Sequence, residues 1–159
     1  MLAKSVNIIR YVLGGGGLYL ALGQLHSDLP KAAALASLTA VGFVGVLSFV
    51  SHVLLHKQDA KQIGFKTDSV SFQFEVGFAN LAFGVVAFIS YFAHWGLRAN
   101  TVLLLSYALY LFQSAILHVY TARANKKTRQ ANLIRAGLTF VFSGMMLYIV
   151  AKVLGSGQF

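Results

Sequence analysis

Three ionisable side chains, His52, Glu75 and His118, each lie about three residues from one end of a long apolar stretch. Two imidazoles and a carboxylate can coordinate a divalent metal ion and leave a position open for water or substrate. The same set could relay protons, because histidine titrates near neutrality and burial raises the pKa of a carboxyl group. A structural interpretation is also open, in which Glu75 pairs with Arg135 or Lys66 and the histidines satisfy nearby polar groups.

Further polar residues share helix faces with these three. A spacing of three or four residues places them in stripes on one side of a helix. The stripes consist of Ser48 with His52, and of Tyr107, Tyr110 and Ser114 with His118. On the third apolar stretch, Asn80 lies about 140° around a helix from Glu75, so these two side chains are expected to address different neighbours.

Five apolar stretches, at about 5–25, 32–55, 72–96, 101–121 and 134–154, must position these residues. Each is near or above the roughly 20 residues needed to cross a hydrocarbon core. Only 11% of the 159 residues are charged and 57% are hydrophobic, whereas soluble domains carry about 25% charged residues. We therefore predict one all-α domain, 1–159: a polytopic transmembrane helical bundle with five spans, or four if residues 5–25 do not cross.

The distribution of positive charge predicts the orientation. With a cytoplasmic N-terminus and five spans, ten of the 13 basic residues lie on the inner side, as the positive-inside rule requires. Only Lys31, Arg98 and Lys152 lie outside, together with the C-terminus, which is periplasmic or extracellular. The three ionisable side chains then lie about 5 Å inside the cytoplasmic ends of their helices. The net charge of +9 follows from this topology rather than from a nucleic-acid partner, and the basic cluster 123–135 is expected to contact anionic lipids of the bilayer.

The segment 72–84, with the sequence FQFEVGFANLAFG, is the most distinctive in the chain. It resembles the signature of an uncharacterised family of small bacterial multi-spanning membrane proteins. The family pattern also has a His near the end of a preceding helix, an Ile-Gly-aromatic loop and a later helix ending near a His. These elements match Ser51-His52, Ile63-Gly64-Phe65 and His118. Ala82 replaces an expected Gly, and Phe65 stands where Trp is common.

The resemblance covers about residues 32–121. It implies a bacterial inner membrane as the location, and it implicates His52, Glu75, Asn80 and His118 as the residues to test. No activity is assigned to the family, so none is carried over.

Three functions remain open from the sequence. One is a small transport or membrane-accessory protein, in which Glu75 and His118 form the ionisable core and His52 and Asn80 orient or bind. Another is a redox module that binds a metal, haem or quinone through His52 and His118. The last is a non-catalytic assembly partner that packs through small residues, with Gly77 and Gly84 as its packing face. A transport pathway through so short a chain would call for a homo-oligomer.

An enzyme is the less favoured interpretation. Glu75 is the only acidic residue inside a predicted span, so no pair of carboxylates is available there. Asp28, Asp59 and Asp68 are all expected in loops, which leaves no assignable Ser-His-Asp set. The absence of cysteine excludes thiolate metal sites and thiol catalysis.

Overall fold

The computed structural model describes residues 2–63, 70–124 and 126–158. Within those ranges the secondary structure is helical, without a strand. The helices are α1 (Leu2–Gln24), α2 (Leu29–Leu54), α3 (His56–Ile63), α4 (Ser71–Phe92), α5 (Gly96–Ala124) and α6 (Arg129–Gly155). All but the short α3 are long and apolar enough to cross a membrane. The predicted all-α bundle with five spans is thereby confirmed.

Short connections make consecutive long helices antiparallel. Before α2, the Asp28 carboxylate accepts a hydrogen bond of 2.9 Å from the backbone N–H of Lys31, and Pro30 occupies the first turn. Between α4 and α5 the chain reverses within three residues, where His94 has φ 54° and Gly96 has φ 87°. Tight turns of this kind confine α1–α2 and α4–α5 to neighbouring positions.

Helix α2 contains two π-helical segments, Ser37–Phe43 and Val50–Leu54. A π-helical turn holds more residues than an α-helical turn, so it rotates the following side chains relative to the usual 100° spacing. The second segment includes His52. Such insertions occur frequently at functional sites, and the apolar pattern of the sequence does not predict them.

Glycines bring the backbones of α2 and α4 into contact. A Cβ atom added to Gly45 would lie 2.5 Å from the carbonyl oxygen of Asn80 and 2.9 Å from the amide nitrogen of Gly84. One added to Gly84 would lie 2.9 Å from the amide nitrogen of Val46. Gly77 faces the same helix, with the side chain of Val53 occupying the position of its missing Cβ. The small-residue face of α4 is therefore its contact with α2.

The bundle consists of two parts that separate at one end. Helices α5 and α6 form an extensively packed hairpin. The first half of α2, 29–43, packs against this hairpin as well as against α1 and α4, whereas its second half, 44–54, packs chiefly against α4 and α1. The hairpin therefore diverges from α1, α2 and α4 towards the end that carries His52 and His118. The wedge between the two parts is the candidate site.

Candidate functional site

A cavity of about 380 Å³ fills the wedge, a volume in the range of small-molecule sites. Side chains from all six helices line it. The polar and aromatic lining consists of Asn7, Arg10, Tyr11, Ser48, His52, Asp59, Phe72, Gln73, Asn80, Tyr110, Gln113, Ser114, His118, Arg135, Thr139 and Phe142. Along α2 the lining runs from Val44 to His52, which corresponds to a depth of about 12 Å at the α-helical rise.

Two arginines line the cavity, one from α1 and one from α6. Arg10 on α1 donates a hydrogen bond of 3.1 Å from Nη1 to the hydroxyl of Ser48. Nη1 of Arg135 on α6 is buried, and no residue in the described part of the chain accepts a hydrogen bond from it. A buried donor without an acceptor costs about 1–3 kcal/mol, and more when the group is charged. An unpaired atom of this kind in a native fold calls for an explanation, such as a ligand.

One carboxylate faces these two guanidinium groups. Asp59 on α3 is only 2% exposed. Its Oδ2 lies 2.8 Å from Nδ1 of His52 and accepts a hydrogen bond of 3.1 Å from Nε2 of Gln73. It is the only acidic residue of the described ranges that lines the cavity. Since its close ion pair is with His52, neither arginine is in contact with a carboxylate of the described residues, and the described lining carries excess positive charge.

The Asp59–His52 pair fastens α3 across the end of the wedge, and its strength depends on pH. Burial alone raises the pKa of Asp59. The hydrogen bond and charge of His52, the hydrogen bond from Gln73 and the charge of Arg10 together outweigh burial, so the pKa of Asp59 lies below its usual value. A carboxyl group with a depressed pKa stabilises the fold above its unfolded pKa, about 3.9, and loses that contribution as the pH falls through the folded value.

We predict that α3 stays docked from pH 7 to pH 5 and detaches in acid, below about pH 4. Hydrogen exchange of residues 56–63, corrected for the intrinsic effect of pH, measures this directly. Asp59→Asn should lower the protection of α3 already at neutral pH, because the charged partner of His52 is lost. Lys61→Gln, on the exposed face of the same helix, is the matched control. Equal protection in the wild type and Asp59→Asn would contradict this role.

His118 lines the cavity from α5, with one ring nitrogen already engaged. Its Nδ1 lies 3.3 Å from Oδ1 of the buried Asn132 on α6. The amide of Asn132 in turn donates to the backbone oxygen and the hydroxyl of Thr128 at the start of α6. This chain fixes the orientation of the imidazole. For Nε2 of His118 the described ranges contain no hydrogen-bond partner, so that nitrogen is free for a ligand.

Asn80 joins α4 to α5 at the deep end of the cavity. Its Nδ2 donates to the hydroxyl of Tyr110 at 2.8 Å and to the backbone oxygen of Val76 at 2.7 Å. The hydroxyl of Tyr107, which is fully buried, donates to Oδ1 of Asn80 at 2.7 Å. These bonds use most of the amide's capacity. Asn80 therefore organises the helix contact rather than offering a free group, and Ser114 lines the cavity one turn above Tyr110.

Glu75 is exposed and does not line the cavity. The buried face of α4 carries Gly77, Asn80 and Gly84, and Glu75 lies about 140° away from Asn80 around the helix. The expected convergence of Glu75 with His52 and His118 is therefore corrected by the structure.

No three His, Asp or Glu side chains of the described residues are grouped so that they could hold a metal ion. That includes the expected metal set of His52, Glu75 and His118. Of the two cations expected beside Glu75, Lys66 lies outside the described residues. Arg135 lines the cavity instead.

Asp59 is the main residue that the sequence interpretation misplaced. It was expected in a loop, but a turn at Leu55 folds α3 back so that the carboxylate meets His52. The spacing of seven residues between His52 and Asp59 gives no signal for this contact, because on one continuous helix it would separate the two side chains by about 10 Å. Arg10 and Gln73 were also missed as lining residues. Arg10 stands alone within an apolar stretch, which by itself marks a candidate functional residue.

Comparison with known proteins gives a family but no activity. A model of a family of unknown function, DUF6790, matches residues 15–155, which include the C-terminal part of α1 and the whole of the other four long helices. Neither the curated proteins nor the solved structures contain a match to the chain. The match agrees with the resemblance to an uncharacterised family, and the chain belongs to the DUF6790 family of unknown function.

Proposed function

We propose that the protein binds an anionic ligand in the wedge cavity, and that it does so as a small transport or membrane-accessory protein. The observation that carries this proposal is the buried Nη1 of Arg135, which has no acceptor among the described residues. A guanidinium group presents a planar fork of donors that matches the oxygens of a carboxylate or phosphate. A ligand with such a group would supply the missing acceptor once the guanidinium group turns Nη1, which is buried under its neighbours, towards the cavity.

The remaining lining supports an anion over a cation. Arg10 on α1 also lines the cavity, and Asp59, the one lining carboxylate in the described ranges, is engaged by His52 and Gln73. Within the part of the chain that the structure describes, a cation would meet two guanidinium groups and no available counter-charge. Gln113, Ser114 and Nε2 of His118 provide further polar contacts for a ligand held between the arginines.

Orientation and location follow from the charge distribution. We place the N-terminus and the cavity end at the cytoplasmic face of a bacterial inner membrane, because most basic residues flank that end of the helices. The basic cluster 123–135 would then contact anionic lipids. A homo-oligomer would provide a continuous pathway if the role is transport.

The test is anion binding by purified protein in discs of phosphatidylcholine at constant ionic strength. Four probes are used: inorganic phosphate and acetate in solution, and phosphatidic acid and oleate in the disc. At least one should raise the unfolding temperature saturably, with a stabilisation of about 2.7 kcal/mol at a hundredfold excess over Kd. Arg135→Gln should abolish this response.

Arg129→Gln is the matched control, because Arg129 lies on the same helix, is exposed and does not line the cavity. It should retain the full response. The proposal fails if none of the four anions stabilises the wild type. It also fails if Arg129→Gln and Arg135→Gln lose the response equally, which would indicate general attraction to a basic surface.

A further inference from the structure

We infer that the ligand is an amphiphile resident in the membrane, with a phosphate or carboxylate head held between Arg10 and Arg135 and an apolar tail that leaves the bundle sideways. This inference rests on the proposed anion binding and names the class of ligand. Three features of the cavity carry it: the gradient of polarity along its length, the openings in its sides and the cover over its end.

The polarity of the lining changes with depth. On α6 it runs from Arg135 through Leu138 to Phe142, and on α2 it runs from His52 through Ser48 to Val44. The charged side chains lie towards the helix ends, where lipid head groups are found. The deeper lining is uncharged: it is apolar at Val44 and Phe142, and the polar groups of Asn80 and Tyr110 are hydrogen-bonded to each other. A lipid in one leaflet is oriented in the same way, with its charged head group at the membrane surface and its apolar tail towards the middle. A small inorganic anion would use only the charged end of a cavity about 12 Å deep.

Two sides of the cavity are open towards the surroundings of the bundle. Tyr11 of α1 and Leu138 of α6 line the cavity, yet they are 39% and 48% exposed. Phe72 of α4 and Leu117 of α5, on the opposite side, are 49% and 42% exposed. In a membrane-spanning bundle these side faces contact lipid. The wedge therefore has two lateral openings, between α1 and α6 and between α4 and α5.

Both openings close at greater depth. Between α1 and α6, a Cβ added to Gly14 would lie 2.9 Å from the ring of Phe142, so the two helices touch there. Between α4 and α5, the hydrogen bond from Asn80 to Tyr110 joins the helices. Each opening is thus confined to the outer part of the spans, within one leaflet. That placement suits a tail that stays in the leaflet in which the head group lies.

Helix α3 covers the remaining side, at the aqueous end. It is held to α1 by hydrogen bonds from the backbone N–H of Ala3 to Gln58, at 3.2 Å, and from Asn7 to Gln62, at 3.4 Å. Gln73 of α4 donates to the backbone oxygen of His56 at 3.2 Å. A cavity that is covered towards water and open towards lipid admits a membrane amphiphile more readily than a free anion.

The experiment compares acidic lipids in the membrane with free anions that carry the same phosphate or carboxylate group. Phosphatidylcholine discs carry phosphatidic acid or oleate as a minor component, and native mass spectrometry counts the lipids that remain on the protein. We expect enrichment of one acidic amphiphile over phosphatidylcholine by roughly tenfold or more. Inorganic phosphate and acetate should not displace it, and Arg135→Gln should abolish the enrichment.

Blocking the two lateral openings tests whether the tail of a bound amphiphile occupies them, independently of whether the cavity binds anions. The double variant Leu117→Trp, Leu138→Trp places bulky rings in both openings and should remove the enrichment. The matched control is Ile116→Trp, Leu133→Trp, on exposed positions of the same helices that do not line the cavity. It should behave as the wild type.

The possible results have distinct meanings. If inorganic phosphate or acetate binds in an Arg135-dependent way while neither amphiphile is enriched, the ligand is a free anion. The inference then fails and the proposed function stands. If the blocked variant retains full enrichment, the lateral route is wrong. If no probe binds in an Arg135-dependent way, the inference and the proposed function fail together.

Discussion

Gly45→Ala is expected to destabilise the protein by about 1–3 kcal/mol, the range for an added methyl group in a fully packed interior. The new Cβ would lie 2.5 Å from the carbonyl oxygen of Asn80 and 2.9 Å from the amide nitrogen of Gly84. Both are backbone atoms within helix α4, so neither can rotate away as a flexible side chain would. Relief therefore requires α2 and α4 to move apart along their whole contact.

Gly144→Ala on α6 is the matched control. Apart from its chain neighbours and the adjacent backbone of its own helix, no heavy atom of the described residues lies within 4 Å of the position that its Cβ would occupy, and alanine is favoured over glycine inside a helix by up to about 1 kcal/mol. We expect an unchanged or slightly raised stability. Unfolding of both variants in mixed micelles, followed by circular dichroism, gives the comparison. Similar losses in the two variants would show that glycine is needed for a reason other than the α2–α4 contact.

The same substitution should also impair the cavity, because α2 supplies Ser48 and His52 to its wall. Gly45→Ala should therefore weaken anion binding in addition to lowering stability, although Gly45 itself does not line the cavity. A non-catalytic assembly partner would show the loss of stability without any change in ligand binding. This variant thus bears on two of the functions that the sequence left open.

The number and positions of the spans could be predicted from the sequence because a lipid environment leaves the backbone few choices. Unsatisfied peptide groups are so costly there that an apolar stretch of sufficient length must be a helix. The opposed faces of Glu75 and Asn80 were likewise predictable, since α4 is a regular α-helix in which 100° per residue holds. One is exposed and the other is buried, as their separation requires.

The site itself could not be assembled from helical periodicity. The contact between Asp59 and His52 depends on the reversal of the chain at Leu55. The π-helical segments of α2 rotate the side chains that follow them around the helix axis, and the apolar pattern of the sequence does not predict this rotation. Which helices neighbour one another around a bundle is also not fixed by short loops alone. For these reasons the presence of Arg10 and Arg135 in one cavity could not be predicted without the three-dimensional structure.

Arg135→Met is expected to stabilise the ligand-free protein while abolishing its response to anions. Methionine retains a long, flexible side chain that fills irregular space, but it carries no charge and no donor. The variant thereby removes the buried Nη1 atom that has no acceptor in the described structure. Relief of an unsatisfied donor is worth about 1–3 kcal/mol, which should appear as a raised unfolding temperature in neutral discs. Arg129→Met, at an exposed position, should change stability by less than about 0.5 kcal/mol.

The sign of this effect distinguishes a binding role of Arg135 from a structural one. A guanidinium group that stabilises the fold through its attraction to Asp59 would make Arg135→Met less stable than the wild type. If Arg135 serves to bind a ligand, Arg135→Met should be more stable than the ligand-free wild type. The cost of burying the guanidinium group is then offset only when the ligand is bound, as in other sites that trade stability for function. A saturating concentration of anion should then raise the unfolding temperature of the wild type towards that of Arg135→Met. It should leave the unfolding temperature of the variant unchanged. Only an anion-binding role of Arg135 predicts both results at once.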